Sequence, residues 1–232
     1  MMTRILVPGL VLAAAAATPA ISMAEVTGNV GFQTDYVYRG IYQADSSAYA
    51  GADYTTDSGF YVGTWWADVG LGTETDVYFG YQGGNDTVKY KIGYTAYRYL
   101  DDFDGDYDEI NLGLYAGIFS LDVAVGSYEP LGAANDSDYV FTSVTLAPEK
   151  GPYYKAGLWS GDFTDDILPF ITKDGGDSGS YLEIGYTWSF EDQGIDFTAA
   201  LLHSNDLPVA GLGNPADYFL TFGIKKTFSA KR

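Results

Sequence analysis

Tyr218-Phe219-Leu220-Thr221-Phe222-Gly223-Ile224-Lys225 alternates along its whole length. Tyr218, Leu220, Phe222 and Ile224 fall on one face of an extended chain, and Phe219, Thr221, Gly223 and Lys225 on the other. Successive side chains of a strand point to opposite faces, so the run predicts a strand with one greasy face and one mostly polar or small face. The pattern recurs as Val88, Tyr90, Ile92, Tyr94 against Lys89, Lys91, Gly93, Thr95, and as Leu182, Ile184, Tyr186, Trp188, Phe190 against Glu183, Gly185, Thr187, Ser189. Ile110, Leu112, Leu114 against Glu109, Asn111, Gly113 repeats it.

Soluble β-sandwiches and soluble barrels alternate too, but their bulky face fills the core. An interior set of Gly, Lys, Glu, Asn and Thr cannot fill a soluble core to protein packing density. Turning the bulky face to lipid removes the contradiction, because a closed barrel pairs every backbone group internally. The expected fold is therefore all-β: a transmembrane antiparallel up-and-down barrel.

About 12 such segments follow one another, each near the length a tilted strand needs to cross a bilayer. They begin near Asn29, Ser47, Phe60, Glu74, Thr87, Tyr107, Ser120, Asp138, Tyr153, Gly179, Ile195 and Asp217. The stretch from Phe60 to Asp68, with adjacent Trp65 and Trp66, shows no clear phase. Short connections at Thr56 to Gly59, Gly83 to Asp86, Ala147 to Pro152 and Glu191 to Gly194 interleave with longer ones near Gly40 to Ser46, Leu100 to Asp106, Glu129 to Ser137, Asp162 to Ser178 and Ser204 to Ala216. That asymmetry matches periplasmic turns and extracellular loops. Tyr36, Tyr38, Tyr90, Tyr94, Tyr97, Tyr99, Tyr153, Tyr154, Tyr186 and Trp188 are candidates for interfacial girdles, where an amphipathic ring meets both lipid and water.

Residues 1–24 read as a signal peptide, with Arg4, an apolar run from Ile5 to Ala17 and small residues up to a cut after Ala24. The apolar run is too short for a membrane anchor and contains Pro8 and Gly9. The barrel is expected over 25–232. Loss of Arg4 takes the net charge from −19 to about −20, which argues against nucleic-acid binding. The chain has no cysteine, so neither a lipid attachment site nor a disulfide framework is available.

Asn29-Val30-Gly31-Phe32-Gln33-Thr34-Asp35-Tyr36-Val37-Tyr38-Arg39-Gly40-Ile41 strongly resembles the TorF-type porins, also catalogued as the Gcw_chp family of proteobacterial exported proteins. Ser58 to Trp65, Glu74 to Tyr81 and Tyr90 to Tyr94 resemble further strands of that family, most specifically before about residue 100. The resemblance implies an outer-membrane barrel in a Gram-negative envelope and leaves the transported solute open. Barrels of this sort commonly stop at a final aromatic, whereas Phe228 here is followed by Ser229-Ala230-Lys231-Arg232.

With the greasy face in lipid, the lumen is expected to be lined by Gln33, Asp35, Arg39, Asp53, Asp76, Gln82, Lys89, Lys91, Glu109, Asn111, Asp122, Lys155, Glu183, Asp196 and Lys225. Asp35 and Arg39, four apart on one predicted strand, share a face and are candidates for a constriction. These charges can set a transverse field in a wet, weakly cation-preferring channel, or pair across a small bore and plug it. Inward Gly31, Gly80, Gly93, Gly113, Gly185 and Gly223 can widen the bore, make room for facing tyrosines or allow sharp strand curvature.

The acidic loop with Asp102, Asp104, Asp106 and Asp108 is a weak calcium candidate, since it has carboxylates at alternate positions but not the EF-hand spacing. No enzyme is expected: the one histidine, His203, precedes Ser204, and neighbours in a strand point oppositely. There is no Gly-x-Ser-x-Gly elbow. The expected function is a passive pore for small hydrophilic solutes or ions with no cofactor. Its expected partners are outer-membrane lipid, lipopolysaccharide and the barrel-insertion machinery. The alternative is a closed barrel with a structural or adhesion role.

Overall fold

The computed structural model describes residues 25–100, 104–132, 136–148, 151–161, 178–205, 207 and 218–231. Strands β1 (Glu25–Tyr38), β2 (Ile41–Thr55), β3 (Phe60–Asp68), β4 (Thr73–Gly84), β5 (Lys89–Leu100), β6 (Asp106–Ala116), β7 (Phe119–Glu129), β8 (Ser137–Leu146), β9 (Tyr153–Gly161), β10 (Ser178–Phe190), β11 (Ile195–Asn205) and β12 (Tyr218–Lys231) follow in chain order. Each pairs antiparallel with its sequence neighbours, and β1 pairs with β12 from Glu25↔Lys231 to Thr34↔Phe222, which closes the barrel. Closure leaves no strand edge, the condition for placing a sheet in lipid. The signal-peptide segment, Asp102 and most of the two long connections after β9 and β11 lie outside the described residues.

The two faces differ as the alternation predicts. Val30, Phe32, Val77, Phe79, Ile92, Ile110, Leu112, Leu182, Ile184, Leu220, Phe222 and Ile224 all stand exposed on the outer wall. A continuous apolar belt of this kind far exceeds what a soluble monomer exposes. In β3 the phase is now plain: Trp65 is buried in the interior at 4 % exposure, whereas Trp66 faces outward at 55 %.

Two expectations need correcting. The connection placed at Gly40 to Ser46 is largely strand, since β2 begins at Ile41 and Tyr38 pairs with Ile41 across a two-residue turn. Arg39 and Gly40 both have positive φ (50° and 85°), the requirement of a type I′ hairpin turn. In addition, Tyr36 and Tyr153 are fully buried, Tyr97 is buried at 4 %, and Tyr38 and Tyr99 pack against the interior clusters. These five belong to the core of the barrel instead of an interfacial girdle.

The β1–β2 hairpin is longer than the wall that holds it. Pairing of β1 with β12 stops at Thr34, and pairing of β2 with β3 starts only at Tyr49. Between those limits the two strands pair only with each other, with a register shift at Tyr36/Val37. Asp35 sits at φ 49°, a left-handed conformation that costs a non-glycine residue roughly 1 to 2 kcal/mol and bends the ribbon. Asp35 and Arg39 therefore do not share one strand face: the first marks the bend and the second the tip.

Candidate functional site

Beyond the bend, the hairpin tip crosses the bore to the opposite wall. The Arg39 guanidinium meets Glu109 of β6 side-on, with Nη1 to Oε1 at 2.5 Å and Nη2 to Oε2 at 3.0 Å. Trp159 of β9 donates its indole N–H to the Arg39 carbonyl at 2.9 Å, and Ser204 of β11 donates to the Gly40 carbonyl at 2.7 Å. Gly40 packs against Tyr181 of β10 and Leu207. Four strands that are not neighbours of β1 or β2 thus hold a turn of two residues.

Glu109 is the hub of this latch. Its side chain is 1 % exposed and accepts further bonds from Tyr97 (3.0 Å), Tyr139 (2.9 Å) and Asn111 (2.8 Å). The guanidinium carbon of Arg39 lies 4.5 Å from the centre of the Phe141 ring, 4.8 Å from Tyr38 and 5.6 Å from Trp159. An arginine suits this site because its planar fork fits a carboxylate bidentately while its faces stack on rings.

Tyrosines fill much of the bore around the latch, and they lie against glycines. Tyr49 faces Gly31, Tyr61 faces Gly80, Tyr78 faces Gly63, Tyr139 faces Gly126, Tyr153 faces Gly185 and Tyr181 faces Gly157, each as a direct cross-strand pair. A Cβ at any of these glycines would overlap the facing ring. Of the readings of the inward glycines, making room for tyrosines is the one seen at Gly31, Gly80 and Gly185.

Below the tip lies a cavity of about 80 Å³, with Arg39 in its ceiling and Lys91, Asn111, Asp122, Ser143 and Lys155 in its walls. It has room for a few water molecules. Lys91 lies 4.3 Å from the centre of the Tyr61 ring and Lys155 lies 5.9 Å from that of Tyr181. The nearby carboxylates hold tyrosine hydroxyls: Tyr78 donates to Asp53 at 2.6 Å, Tyr115 to Asp122 at 2.8 Å, and Tyr153 to Glu183. Lys225 pairs with Asp196 at 3.3 Å. Gln33 and Asp76 are buried higher in the bore, while Lys89 and Gln82 are half-buried near the opposite end of the barrel.

The described carboxylates of the acidic loop take separate partners. Asp104 accepts the hydroxyls of Tyr128 (2.9 Å) and Tyr107 (3.3 Å), while Asp106 and Asp108 pair with Arg98 at 3.2 and 2.9 Å. Among the described residues, no three acidic or histidine side chains are placed to hold a metal ion. Trp159 was not among the residues singled out from the sequence; Ser204 was weighed only beside His203, and Tyr36, Tyr38, Tyr97, Tyr99 and Tyr153 only as girdle residues.

Comparison with known proteins gives a family and a fold. Residues 16–147, more than half of the chain, match the family described as "Bacterial protein of unknown function (Gcw_chp)". No curated protein matches in sequence. Among solved structures, the barrel is similar to the KdgM porin, with a TM-score of 0.53 at 8 % identity over 88 % of this chain and 99 % of that one. The same figures hold for the KdgM porin in complex with disordered oligogalacturonate. A protein from work on in-meso crystallization of membrane proteins gives a TM-score of 0.58 at 9 % identity, over 88 % of this chain and 83 % of its own. At such identities the likeness is one of fold.

Proposed function

The chain belongs to the Gcw_chp family of bacterial proteins, and from its barrel we propose that it is an outer-membrane, porin-like channel for small hydrophilic solutes or ions. The observation that carries this reading is how the bore is blocked. The wall is a porin-like closed barrel with charged and polar side chains inside, and the obstruction at its centre is one hairpin tip that could leave without breaking a wall ladder. In this reading the structure is the closed state, and solutes pass when the Arg39–Glu109 latch releases. No chemical step and no cofactor enter.

Three finer points belong to the same proposal. Export by a leader cut after Ala24 delivers the chain to the periplasm, and the insertion machinery then reads the β12 end, where Phe228 stands exposed. The surplus of acidic residues raises cation concentration at the mouth and gives a weak cation preference. The apolar belt contacts lipid and lipopolysaccharide.

A second reading has its own support: the packed aromatic interior also suits a permanently closed structural barrel. Liposome swelling separates the two. Proteoliposomes carrying Arg39→Ala should take up small neutral sugars faster than those carrying the wild-type chain. Equal impermeability of both, with the barrel folded, would favour the structural role.

A further inference from the structure

The inward charges of the upper bore do not balance. Among the described residues there, Arg39 stands against four carboxylates: Glu74 and Asp76 of β4, Asp104 just before β6, which takes the Tyr107 and Tyr128 hydroxyls, and Glu109 of β6. Glu109 already takes the guanidinium through both its oxygens. Glu74 accepts only a long bond from the Tyr36 hydroxyl, at 3.4 Å, and one from Tyr99. Asp76 is 0 % exposed, and neither of its side-chain oxygens has a hydrogen-bond donor among the described residues. Lys91 and Lys155 line the cavity beneath, beside Asp122.

Glu74 and Asp76 are two apart on β4 and point to the same face. The cross-strand partners of Asp76 are Trp65 and Tyr97, both buried, so no side-chain cation is supplied from either neighbour. An ionised carboxylate without donor or counter-charge is strongly disfavoured in an interior.

We propose that Glu74 and Asp76 form a binding site for one hard divalent cation, with the Tyr36 hydroxyl as a further oxygen donor. The two carboxylates Glu74 and Asp76, neither paired with a cation of its own, match the charge of such an ion, and the available donors are all oxygen, the chemistry that calcium and magnesium prefer over softer metals. Because Tyr36 belongs to the bent part of the β1–β2 hairpin, an ion held there ties the plug to β4 as Arg39 ties it to β6. The site follows from the packing of the interior and does not depend on transport.

Terbium luminescence tests it, with the full chain refolded in detergent and Tb³⁺ standing in for calcium. Trp65 and Tyr36, whose ring centres are 6.2 Å apart, lie beside the site and sensitise the emission. The expected result is a calcium-displaceable signal whose lifetime in H₂O and D₂O reports few bound waters. Asp76→Asn and, separately, Glu74→Gln should weaken it at least about tenfold, as loss of a metal ligand does. Asp106→Asn, on the exposed side of the acidic loop where the carboxylate pairs with Arg98, should leave it unchanged. A signal that is highly hydrated, or that survives Asp76→Asn and Glu74→Gln, would place the ion on the outer loops and overturn the proposal. Absence of signal, together with stability that depends on pH but not on calcium and loses that dependence in Asp76→Asn, would assign the place to a proton and overturn it equally.

Discussion

Removing both sides of the Arg39–Glu109 latch should destabilise the barrel clearly less than the sum of removing each alone. The pair is bidentate at 2.5 and 3.0 Å, with side chains 9 % and 1 % exposed, so solvent screens it little. Arg39→Ala leaves Glu109 buried with only the neutral donors Tyr97, Tyr139 and Asn111. Glu109→Gln takes from the guanidinium the one carboxylate it hydrogen-bonds, among aromatic rings. Breaking a buried pair from one side costs about 3 to 5 kcal/mol. Arg39→Met with Glu109→Gln removes both charges, keeps volume near Phe141 and Trp159, and should cost roughly 2 kcal/mol less than the sum of the Arg39→Met and Glu109→Gln singles. Urea unfolding in lipid vesicles, followed by tryptophan fluorescence, measures all the variants. Single variants within about 0.5 kcal/mol of wild type, the range of ordinary surface substitutions, or a double variant equal to the sum of its singles, would refute the latch.

Other consequences follow from separate parts of the fold. Ile92 faces outward at 48 % exposure, so Ile92→Arg should cost roughly 2 to 4 kcal/mol at mid-bilayer and lower the yield of inserted barrel on gel-shift; normal insertion would reverse the face assignment. Gly157→Val pushes a side chain into the Tyr181 ring and should cost about 1 to 3 kcal/mol through overpacking, with Gly157→Val plus Tyr181→Ala regaining part of it in the same unfolding assay. Burial holds the Asp104 carboxyl above its ordinary 3.8, so the folded state binds that proton more tightly than the unfolded chain. Its contribution to stability is therefore fully present below 3.8 and falls as pH rises through the raised value. Asp104→Asn should flatten unfolding curves across that acid window, and an unaltered pH profile would count against this assignment.

Most of the barrel was legible because lipid enforces a period of two on every strand. The starts expected at Phe60, Tyr153 and Ile195 coincide with the observed ones, and those at Glu74, Tyr107, Ser120, Asp138, Gly179 and Asp217 fall within one residue. The interior was harder to read. Tyrosine is at home in an interfacial girdle and in a polar core alike, so Tyr36, Tyr97 and Tyr153 carried no signal of their own. A signal did exist in the spacing: Tyr49-x-Gly51, Tyr61-x-Gly63 and Tyr78-x-Gly80 put a ring and a gap on one inward face, as a bore packed with rings requires. The hairpin tip was out of reach for a different reason. Its course depends on the left-handed Asp35 and on ladders that end at Thr34 and begin at Tyr49, which are features of register across strands far apart in sequence. Placing Gly40 to Ser46 in a connection hid the strand that begins at Ile41.

Planar-bilayer conductance of the wild-type chain and of Arg39→Ala, recorded under a potassium chloride gradient, tests most directly whether this barrel is a channel closed by its own first hairpin. The wild type should be closed for most of the record with brief small steps, and Arg39→Ala should give sustained, larger steps with a reversal potential on the cation side. Silence from both, with folded and inserted barrels verified in the same preparation, would contradict the channel reading and leave a sealed structural barrel.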